Sequence, residues 1–271
     1  MNARKKIKPA TVRARAKPKV SREALVSLLD KTLRTSEIAD SSANGLQVEG
    51  AAEITKVGLA VDACLEAYKL AHEKGCQMII VHHGIIWDGG LKSLTGPLYR
   101  QIEFLVKNGI SLYASHLPLD LHPALGNNIM IAKALGLKNL QPFGMYKNGF
   151  YLGFEGYLPR AGTLKSISEI VRKKFGGPVS SLSFGPQKIW RVAAIAGGGT
   201  AALPEAIEKK IDLFVTGEPA HWNHHAALEG KINVIYGGHY HTEKPGVQAL
   251  GDFIGKRFGI KTEFLDVPTL V

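Results

Sequence analysis

The chain has 271 residues, enough for one large or two small domains, and its 45% hydrophobic and 8% aromatic content is that of an ordinary globular protein. No stretch reaches the roughly 18 uninterrupted apolar residues of a membrane span, so we do not expect the chain to be a membrane protein. The two cysteines, Cys64 and Cys76, lack Cys-x-x-Cys spacing, which excludes a disulfide framework and a thiolate zinc site. This cysteine usage predicts a reducing, cytoplasmic location.

The formal net charge of +11 is concentrated in the first 19 residues, which hold eight Lys or Arg and no acid and leave +3 for the rest. With Pro9, Pro18 and hardly any large apolar side chain, residues 1–19 are predicted to form a disordered basic tail. The tail lacks the apolar segment of a secretory signal, while an organellar transit peptide stays open as an alternative. Weak, nonspecific attraction to RNA or DNA is the activity we predict for it.

Hydrophobic periodicity predicts alternating helices and strands along the rest of the chain. A first helix is predicted from Ser21, a suitable N-cap, through Leu33. The other predicted helices extend from Asp62, the expected N-cap, through Ala71, over 97–107 and 129–135, through Ile207, through Leu228, and across Val247 to Ile254. The predicted strands are 57–61, 77–83, 110–115, 149–158, 192–196, 213–215 and 234–236.

These elements predict an α/β fold of two interlocked lobes with mainly parallel central sheets. The strands at 57–61 and 77–83 enclose a helix and form a βαβ unit, so they should be parallel. The same order of strand, polar strand end and helix resumes in the last third of the chain. We assign 20–125 together with 237–271 to the first lobe and 126–236 to the second.

Two adjacent histidines, His82 and His83, close an apolar strand directly before Gly84. Consecutive strand residues point to opposite faces, so both imidazoles reach one site only if the strand breaks here, which Gly84 permits. One buried and one solvated histidine is the ordinary structural alternative. Because open α/β sheets bind ligands beyond the carboxyl ends of their strands, functional residues are expected at this edge.

Two further strand ends carry imidazoles and carboxylates. His116 and Asp120 follow one strand, and His239 and Glu243 follow another. Such ligands, without thiolates, suit zinc, iron, manganese, cobalt or nickel. They are too many for one ion with open positions, so we predict two divalent ions, about 3.5–4 Å apart and bridged by a carboxylate, that activate water for hydrolysis. As structural alternatives, Asp120 caps a turn and Glu243 belongs to a capping box.

Short motifs carry a resemblance to a known family. They are Asn44-Gly45-Leu46-Gln47-Val48, His82-His83-Gly84-Ile85-Ile86-Trp87, Ser115-His116-Leu117-Pro118-Leu119-Asp120, Gly126-Asn127-Asn128, Thr216-Gly217-Glu218 and Gly238-His239-Tyr240-His241-Thr242-Glu243. In this order they resemble the YbgI-like dinuclear metal-centre proteins, also called GTP cyclohydrolase I type 2 homologues. The resemblance covers nearly everything after the tail.

The resemblance implies a toroidal homohexamer with metal sites facing an internal cavity, in the short form without an inserted domain. It also implies that the ions are bound by the residues at matching positions: His82, His83, Asp120, His239 and Glu243.

The function implied is that of a metal-dependent hydrolase with a nucleotide-like or pterin-like substrate, and opening of the GTP ring is its most concrete form. His116 and Glu243 are the predicted catalytic residues, because an imidazole or a carboxylate can shuttle the proton. The alternative is a noncatalytic hexameric ring that stores or delivers metal, or that binds nucleic acid.

The last helix contains Pro245, and proline is tolerated only in the first turn of a helix, so we predict that this helix begins near Thr242. His239 then lies on the preceding loop and Glu243 in the first turn, where the helix dipole stabilises a carboxylate. His241, on the same loop, is predicted not to bind metal. Three other histidines are predicted either to line the site cavity or to face solvent: His221, His224 and His225.

Overall fold

The computed structural model describes residues 18–91 and 93–269 and contains two large β-sheets, each covered by helices on both faces. The strands are β1 (Val20–Ser21), β2 (Gly45–Val48), β3 (Glu53–Ile54), β4 (Lys56–Asp62), β5 (Met78–His83), β6 (Ser111–Ala114), β7 (Lys138–Met145), β8 (Tyr151–Gly162), β9 (Ser180–Ser183), β10 (Ile189–Ala194), β11 (Leu213–Thr216), β12 (Asn233–Tyr236) and β13 (Lys261–Phe264). The α-helices are α1 (Arg22–Leu33), α2 (Leu65–Glu73), α3 (Gly96–Lys107), α4 (Leu117–Asp120), α5 (Asn127–Leu135), α6 (Leu164–Phe175), α7 (Leu203–Glu208), α8 (Asn223–Gly230) and α9 (His239–Phe258). The predicted α/β fold is confirmed.

The first sheet has the strand order β13-β4-β5-β6-β2, and its edge strand β2 runs antiparallel to β6 while the other pairs are parallel. Along β5, Met78 and Ile80 pack with the core residues of α1 and α9, whereas Ile79 and Val81 pack with those of α2 and α3. The strand is a continuous apolar run because both of its faces are buried. The carboxyl ends of β4, β5 and β6 therefore meet at one edge, as the βαβ prediction requires.

The second sheet has the order β7-β8-β10-β11-β12-β9. Its central strands β10, β11 and β12 are parallel, and the flanking strands β7, β8 and β9 are antiparallel to their neighbours. The parallel character is therefore confined to the centre of this sheet. A short connection through Lys147–Gly149 joins β7 to β8, and such a hairpin can join only antiparallel strands.

Helices α5 and α9 pack against each other between the two sheets. Helix α5 also contacts β8 of the second sheet, and α9 contacts β4 and β13 of the first. The chain leaves the first sheet after β6, builds the second sheet, and returns to the first for α9 and β13, which fits interlocked lobes. The assigned lobe boundaries at residues 126 and 237 stay a prediction.

The prediction that the last helix begins near Thr242 is wrong, because α9 begins at His239. The Thr242 amide donates to the Gly238 carbonyl at 3.0 Å and closes the first helical turn. Gly238 has φ +85°, a left-handed conformation that lets the chain turn directly from β12 into the helix. Pro245 consequently lies inside α9, and His239 and Glu243 share one helical face.

The predicted cap of α2 is also corrected. Cys64, not Asp62, is the N-cap, and its sulfur accepts from the Ala67 amide at 3.5 Å. Asp62 is instead the last residue of β4. Its carboxylate is therefore available for a partner outside the helix.

The predicted basic tail falls on residues 1–19, of which 1–17 lie outside the described residues. Among the described helices, none combines the length and the apolar character needed to cross a bilayer.

Candidate metal centre

The five predicted metal ligands and His116 converge at the carboxyl edge of the first sheet. His82 and His83 end β5, Asp120 ends the short helix α4 after β6, and His239 and Glu243 lie on the first two turns of α9. The two adjacent imidazoles reach the same site because β5 stops at His83, and their ring centres are 4.7 Å apart. Three separate segments of the chain thus supply one cluster.

Glu243 lies at the centre of this cluster, with its side chain almost completely buried. Its Oε1 atom is 3.6 Å from His82 Nε2, while its Oε2 atom is 3.3 Å from His83 Nε2 and 3.2 Å from His239 Nε2. Asp120 Oδ2 lies 3.5 Å from His82 Nε2. The ligand atoms of one carboxylate therefore face three imidazoles from two structural elements.

Each imidazole of the site is oriented through its other ring nitrogen. In every case Nδ1 contacts an oxygen atom, which leaves Nε2 directed at the centre. The pairs are His82 with the Ser115 carbonyl (2.9 Å), His83 with Asp62 (2.8 Å), His116 with Asp40 (2.9 Å) and His239 with Glu218 (2.9 Å). When the ring is neutral, such contacts place its proton on Nδ1 and its lone pair on Nε2, which is the arrangement of metal-binding histidines.

Sequence reasoning missed these partner carboxylates. Asp62 has the signal of a helix cap, and Glu218 falls in a motif of the family resemblance without an evident role. Asp40 lies in a polar stretch where nothing in the sequence distinguishes it. A strand-end carboxylate beside a strand-end histidine, as Asp62 is beside His83 in the register of β4 and β5, is the signal that could have found one of them.

Asp120 is held by the carboxamide of Asn127. Asn127 Nδ2 donates to Asp120 Oδ1 at 2.8 Å, and its Oδ1 accepts from the Gly246 amide at 2.9 Å. Gly246 follows Pro245, which cannot donate a helical hydrogen bond. Asn127 thus links the turn of α9 that contains Pro245 to a ligand carboxylate.

The loop after His83 is held by Gln47 on the edge strand β2. Gln47 Oε1 accepts from the Ile85 amide at 2.8 Å, and its Nε2 donates to the Ala43 carbonyl at 2.6 Å. A Cβ atom at Gly84 would lie within 2.7 Å of both Gln47 and Ala114, so no larger residue fits. The motifs around Gln47 and Gly84 therefore act as one unit.

Buried charge dominates the electrostatics of the cluster. Burial alone lowers the pKa of His82, but the Asp120 and Glu243 carboxylates outweigh it and raise that pKa well above the ordinary value. Burial likewise disfavours charged His239, yet Glu243 and Glu218 raise its pKa to about 9. Burial raises the pKa of Glu243, but the surrounding imidazoles outweigh it and hold that pKa far below its usual range. The cluster is thus a concentrated set of ionised groups.

The donor set fits metal ions. His82 Nε2 and Glu243 Oε2 are buried without an aligned hydrogen-bond partner, although they lie within 3.6 Å of oppositely charged atoms. Buried polar atoms without partners are costly, and lone pairs that converge on one point are what a cation requires. The buried cluster of imidazoles and carboxylates could therefore hold metal ions.

The ligand atoms form overlapping groups, each within 4.8 Å. The groups are His82 with Asp120 and Glu243, His83 with His239 and Glu243, and His82 with His83 and His116. The first is entirely buried and the second is half-buried. Glu243 belongs to both, and it faces the imidazole of the first through Oε1 and those of the second through Oε2. His241 belongs to none of the groups found among the described residues.

A cavity of about 340 Å³ opens on the cluster. Besides ligand residues, its walls include Trp87, His116, Leu117, Leu152, Ile195 and Gly198. Three histidines were predicted either to line the site cavity or to face solvent. In the part of the chain that the structure describes, they are not among the lining residues of this cavity. They are exposed on α8 and just before it: His221, His224 and His225.

We expect Gly197→Ala to lower the capacity of the cluster to bind metal. Gly197 has φ +58°, and a Cβ atom there would lie 2.0 Å from Glu243 Oε1 and 3.0 Å from His239 Nε2. The methyl group must displace the Glu243 carboxylate, so the metal content measured by elemental analysis should fall by at least one ion per chain. Gly198→Ala is the matched control, because its nearest atom, Glu218 Oε1, would be at an ordinary 3.5 Å. Equal metal contents in the two variants would contradict this placement of Glu243.

The chain resembles known proteins over almost its whole length. The profile of the family Duf34/NIF3 (NGG1p interacting factor 3) matches residues 20–269. A relative from Archaeoglobus fulgidus, named GTP cyclohydrolase 1 type 2 homolog, is 44% identical over 90% of this chain and 97% of its own. A solved structure of the protein ybgI, of unknown function, is similar with a TM-score of 0.87 at 30% identity, covering 93% of this chain and 100% of that one. A crystal structure of a Thermus thermophilus protein has a TM-score of 0.85 at 39% identity with the same coverage. The protein therefore belongs to the Duf34/NIF3 family.

Proposed function

We propose that the protein is a dinuclear metal-dependent hydrolase with a nucleotide-like or pterin-like substrate. The observation that carries the proposal is the position of Glu243, whose carboxylate is common to a buried ligand group and to a half-buried one that faces the cavity. Two divalent ions bound there would supply an activated water and would polarise the group under attack. His82, His83, Asp120, His239 and Glu243 are the residues that would hold them.

His116 is assigned the proton transfer. It lines the cavity, and its Nδ1 is hydrogen-bonded to Asp40, whose side chain is almost completely buried. Burial disfavours the charged carboxylate, but hydrogen bonds from His116 and Asn44 outweigh it and hold the pKa of Asp40 at about 2. Ionised Asp40 thus fixes the proton on Nδ1 and leaves His116 Nε2 to accept a proton and return it to the leaving group. Glu243 is enclosed by imidazoles, so we assign it as a metal ligand. Its contribution to catalysis would be to hold the metal ions.

The substrate class rests on the relatives and on the size of the cavity. The Archaeoglobus fulgidus relative is named GTP cyclohydrolase 1 type 2 homolog, and opening of the GTP ring is the most concrete form of the proposal. A cavity of about 340 Å³ lies within the usual range of small-molecule sites, roughly 300–1,000 Å³.

The test is a turnover screen of purified full-length protein, loaded separately with zinc, manganese and iron(II), against GTP, other nucleotides and pterins. We expect metal-dependent turnover that His116→Ala abolishes while the metal content is retained. Two bound ions without turnover of any of these compounds would contradict the hydrolase and favour the noncatalytic metal-binding ring.

Asp40→Asn should lower turnover by roughly 10²- to 10⁴-fold, the range ascribed to general acid–base catalysis, with the metal content unchanged. An amide no longer fixes the proton on His116 Nδ1, so the imidazole loses its correct tautomer. Asp62→Asn is the paired variant: Asp62 orients His83, so this change should lower metal affinity by roughly 10- to 100-fold. Thermal unfolding of both variants checks that the fold is intact. Metal loss in Asp40→Asn would instead place His116 among the ligands.

We propose that the chain assembles as a toroidal homohexamer, as the family resemblance implies. Exposed apolar side chains on and beside α3 support an interface: Leu94 is 50% exposed, Tyr99 49% and Val106 59%. Scattered exposed apolar residues are ordinary, but two on one helix and a third directly before it favour a contact surface. Light scattering coupled to size exclusion should give six chains per particle, and a monomer would refute the ring.

A further inference from the structure

We propose that Trp87 is the platform on which the planar heterocycle of the substrate stacks. The inference rests on the proposed function, because it names the residue that recognises the substrate in that site. Trp87 lies on the loop after β5 and lines the cavity that opens on the metal cluster. It would determine specificity and take no part in proton transfer.

The indole of Trp87 packs with the site, not with a core. Its ring centre is 5.1 Å from that of His116 and 6.2 Å from that of His83. It is absent from the four apolar clusters found within residues 18–91 and 93–269, although the neighbouring Ile85 packs in one of them. A half-buried tryptophan whose ring neighbours are functional imidazoles has no evident packing role.

The indole is fixed before any ligand arrives. Its Nε1 donates to the Gly84 carbonyl at 2.8 Å, so its single polar atom is already satisfied. Two backbone bonds hold the flanking residues against the segment before β2: Ala43 N to Ile86 O at 3.0 Å and Asp88 N to Ser41 O at 2.9 Å. With the N–H engaged, what Trp87 can offer a ligand is an aromatic surface at little cost in ordering.

The chemistry of the cavity favours a flat aromatic ligand. Leu117, Leu152 and Ile195 supply the apolar lining, while the imidazoles and carboxylates lie at the metal cluster. An apolar section with an aromatic residue suits a purine or pterin ring, since every such ring has a π-face that stacks regardless of its substituents. The polar cluster is then left for the group that reacts.

The test uses tryptophan fluorescence of the full-length, zinc-loaded protein. The chain has three tryptophans, and Trp190 and Trp222 are exposed and do not line the cavity. In the double variant Trp190→Phe/Trp222→Phe, the tryptophan emission comes from Trp87 alone. We expect GTP to quench this emission saturably and inorganic triphosphate, which lacks the base, to leave it unchanged.

Equilibrium dialysis measures the effect of replacing Trp87 on GTP binding. Trp87→Leu should weaken the binding at least tenfold, and Trp87→Phe should weaken it less. Both variants should keep the wild-type metal content.

The outcomes separate this inference from the proposed function. Equal GTP affinity in wild type and Trp87→Leu, or binding of GTP without a change in Trp87 emission, overturns the platform and leaves the hydrolase standing. Saturable, Trp87-dependent binding without metal-dependent turnover keeps the platform and overturns the hydrolase. If neither GTP nor a pterin binds the zinc-loaded protein, the platform is overturned together with the substrate class.

Discussion

Glu243→Gln is expected to lower the affinity for both of the proposed metal ions, although the fold is retained. The Glu243 carboxylate faces His82 through one oxygen and His83 and His239 through the other, so a neutral amide removes charge from both ligand groups. The loss should exceed the roughly 10- to 100-fold that follows from changes to residues around a ligand. Elemental analysis after dialysis should find fewer than two ions per chain, down to none.

His241→Ala is the control for this experiment. His241 lies two residues away on the same helix, is buried, and belongs to none of the ligand groups among the described residues. Its removal should leave the metal content at the wild-type value, even if packing against Gly177 costs some stability. If Glu243→Gln keeps both ions, or His241→Ala loses one, the ligand assignment on α9 is incorrect.

Metal affinity should rise steeply with pH up to about pH 9. The pKa of His239 is raised to about 9, so at pH 7 its imidazole is protonated in the metal-free cluster, and the neighbouring carboxylates raise the pKa of His82 as well. A metal must displace these protons, because it binds the neutral ring. Glu243 is already ionised and releases none. For each proton that the metal displaces, the metal affinity falls about tenfold for every pH unit below the pKa of that imidazole.

Calorimetry in buffers of different ionisation enthalpy measures the protons released. At pH 7 we expect between one and two per chain on saturation, and the number should decrease as the pH passes 9. The sign follows from competition: lowering the pH favours the protonated imidazole, and raising it favours the metal. A zero proton count at pH 7 would mean that the carboxylates do not raise the imidazole pKa values in the free protein.

The sequence predicted the central parts of both sheets and the convergence of the strand ends, because short apolar runs followed by polar residues are a local signal. β5 with His82 and His83, β6 before His116, and β12 before His239 were all identified in this way. The flanking strands were largely missed: β9 is polar and β13 mixes charged and apolar residues, so neither has the buried pattern that defines a central strand.

Apart from the contact between Asp62 and His83, the contacts that orient the imidazoles could not be predicted. Asp40 meets His116 across 76 positions of the chain, and only the antiparallel placement of β2 beside β6 brings the two together. The start of α9 was mispredicted for a related reason. Proline inside a helix is disfavoured locally, and the carboxamide that binds the adjoining Gly246 amide, Asn127, lies 119 residues from it. Long-range partners reverse local preferences, and a single sequence carries no record of them.

The bridge that Asn127 makes between Asp120 and Gly246 also bears on how the chain acquires its metal. It ties the first residue of α5 to α9, near the end of the chain, so the complete ligand set exists only after the last helix has docked. Contacts so distant along the chain form at a high entropic cost and therefore late in folding. The unfolded chain lacks this preformed site, so a metal bound here would favour the native state and stabilise it by mass action, by about 2.7 kcal/mol at a free metal concentration 100 times the dissociation constant. The supply of metal would then contribute to the free energy of unfolding.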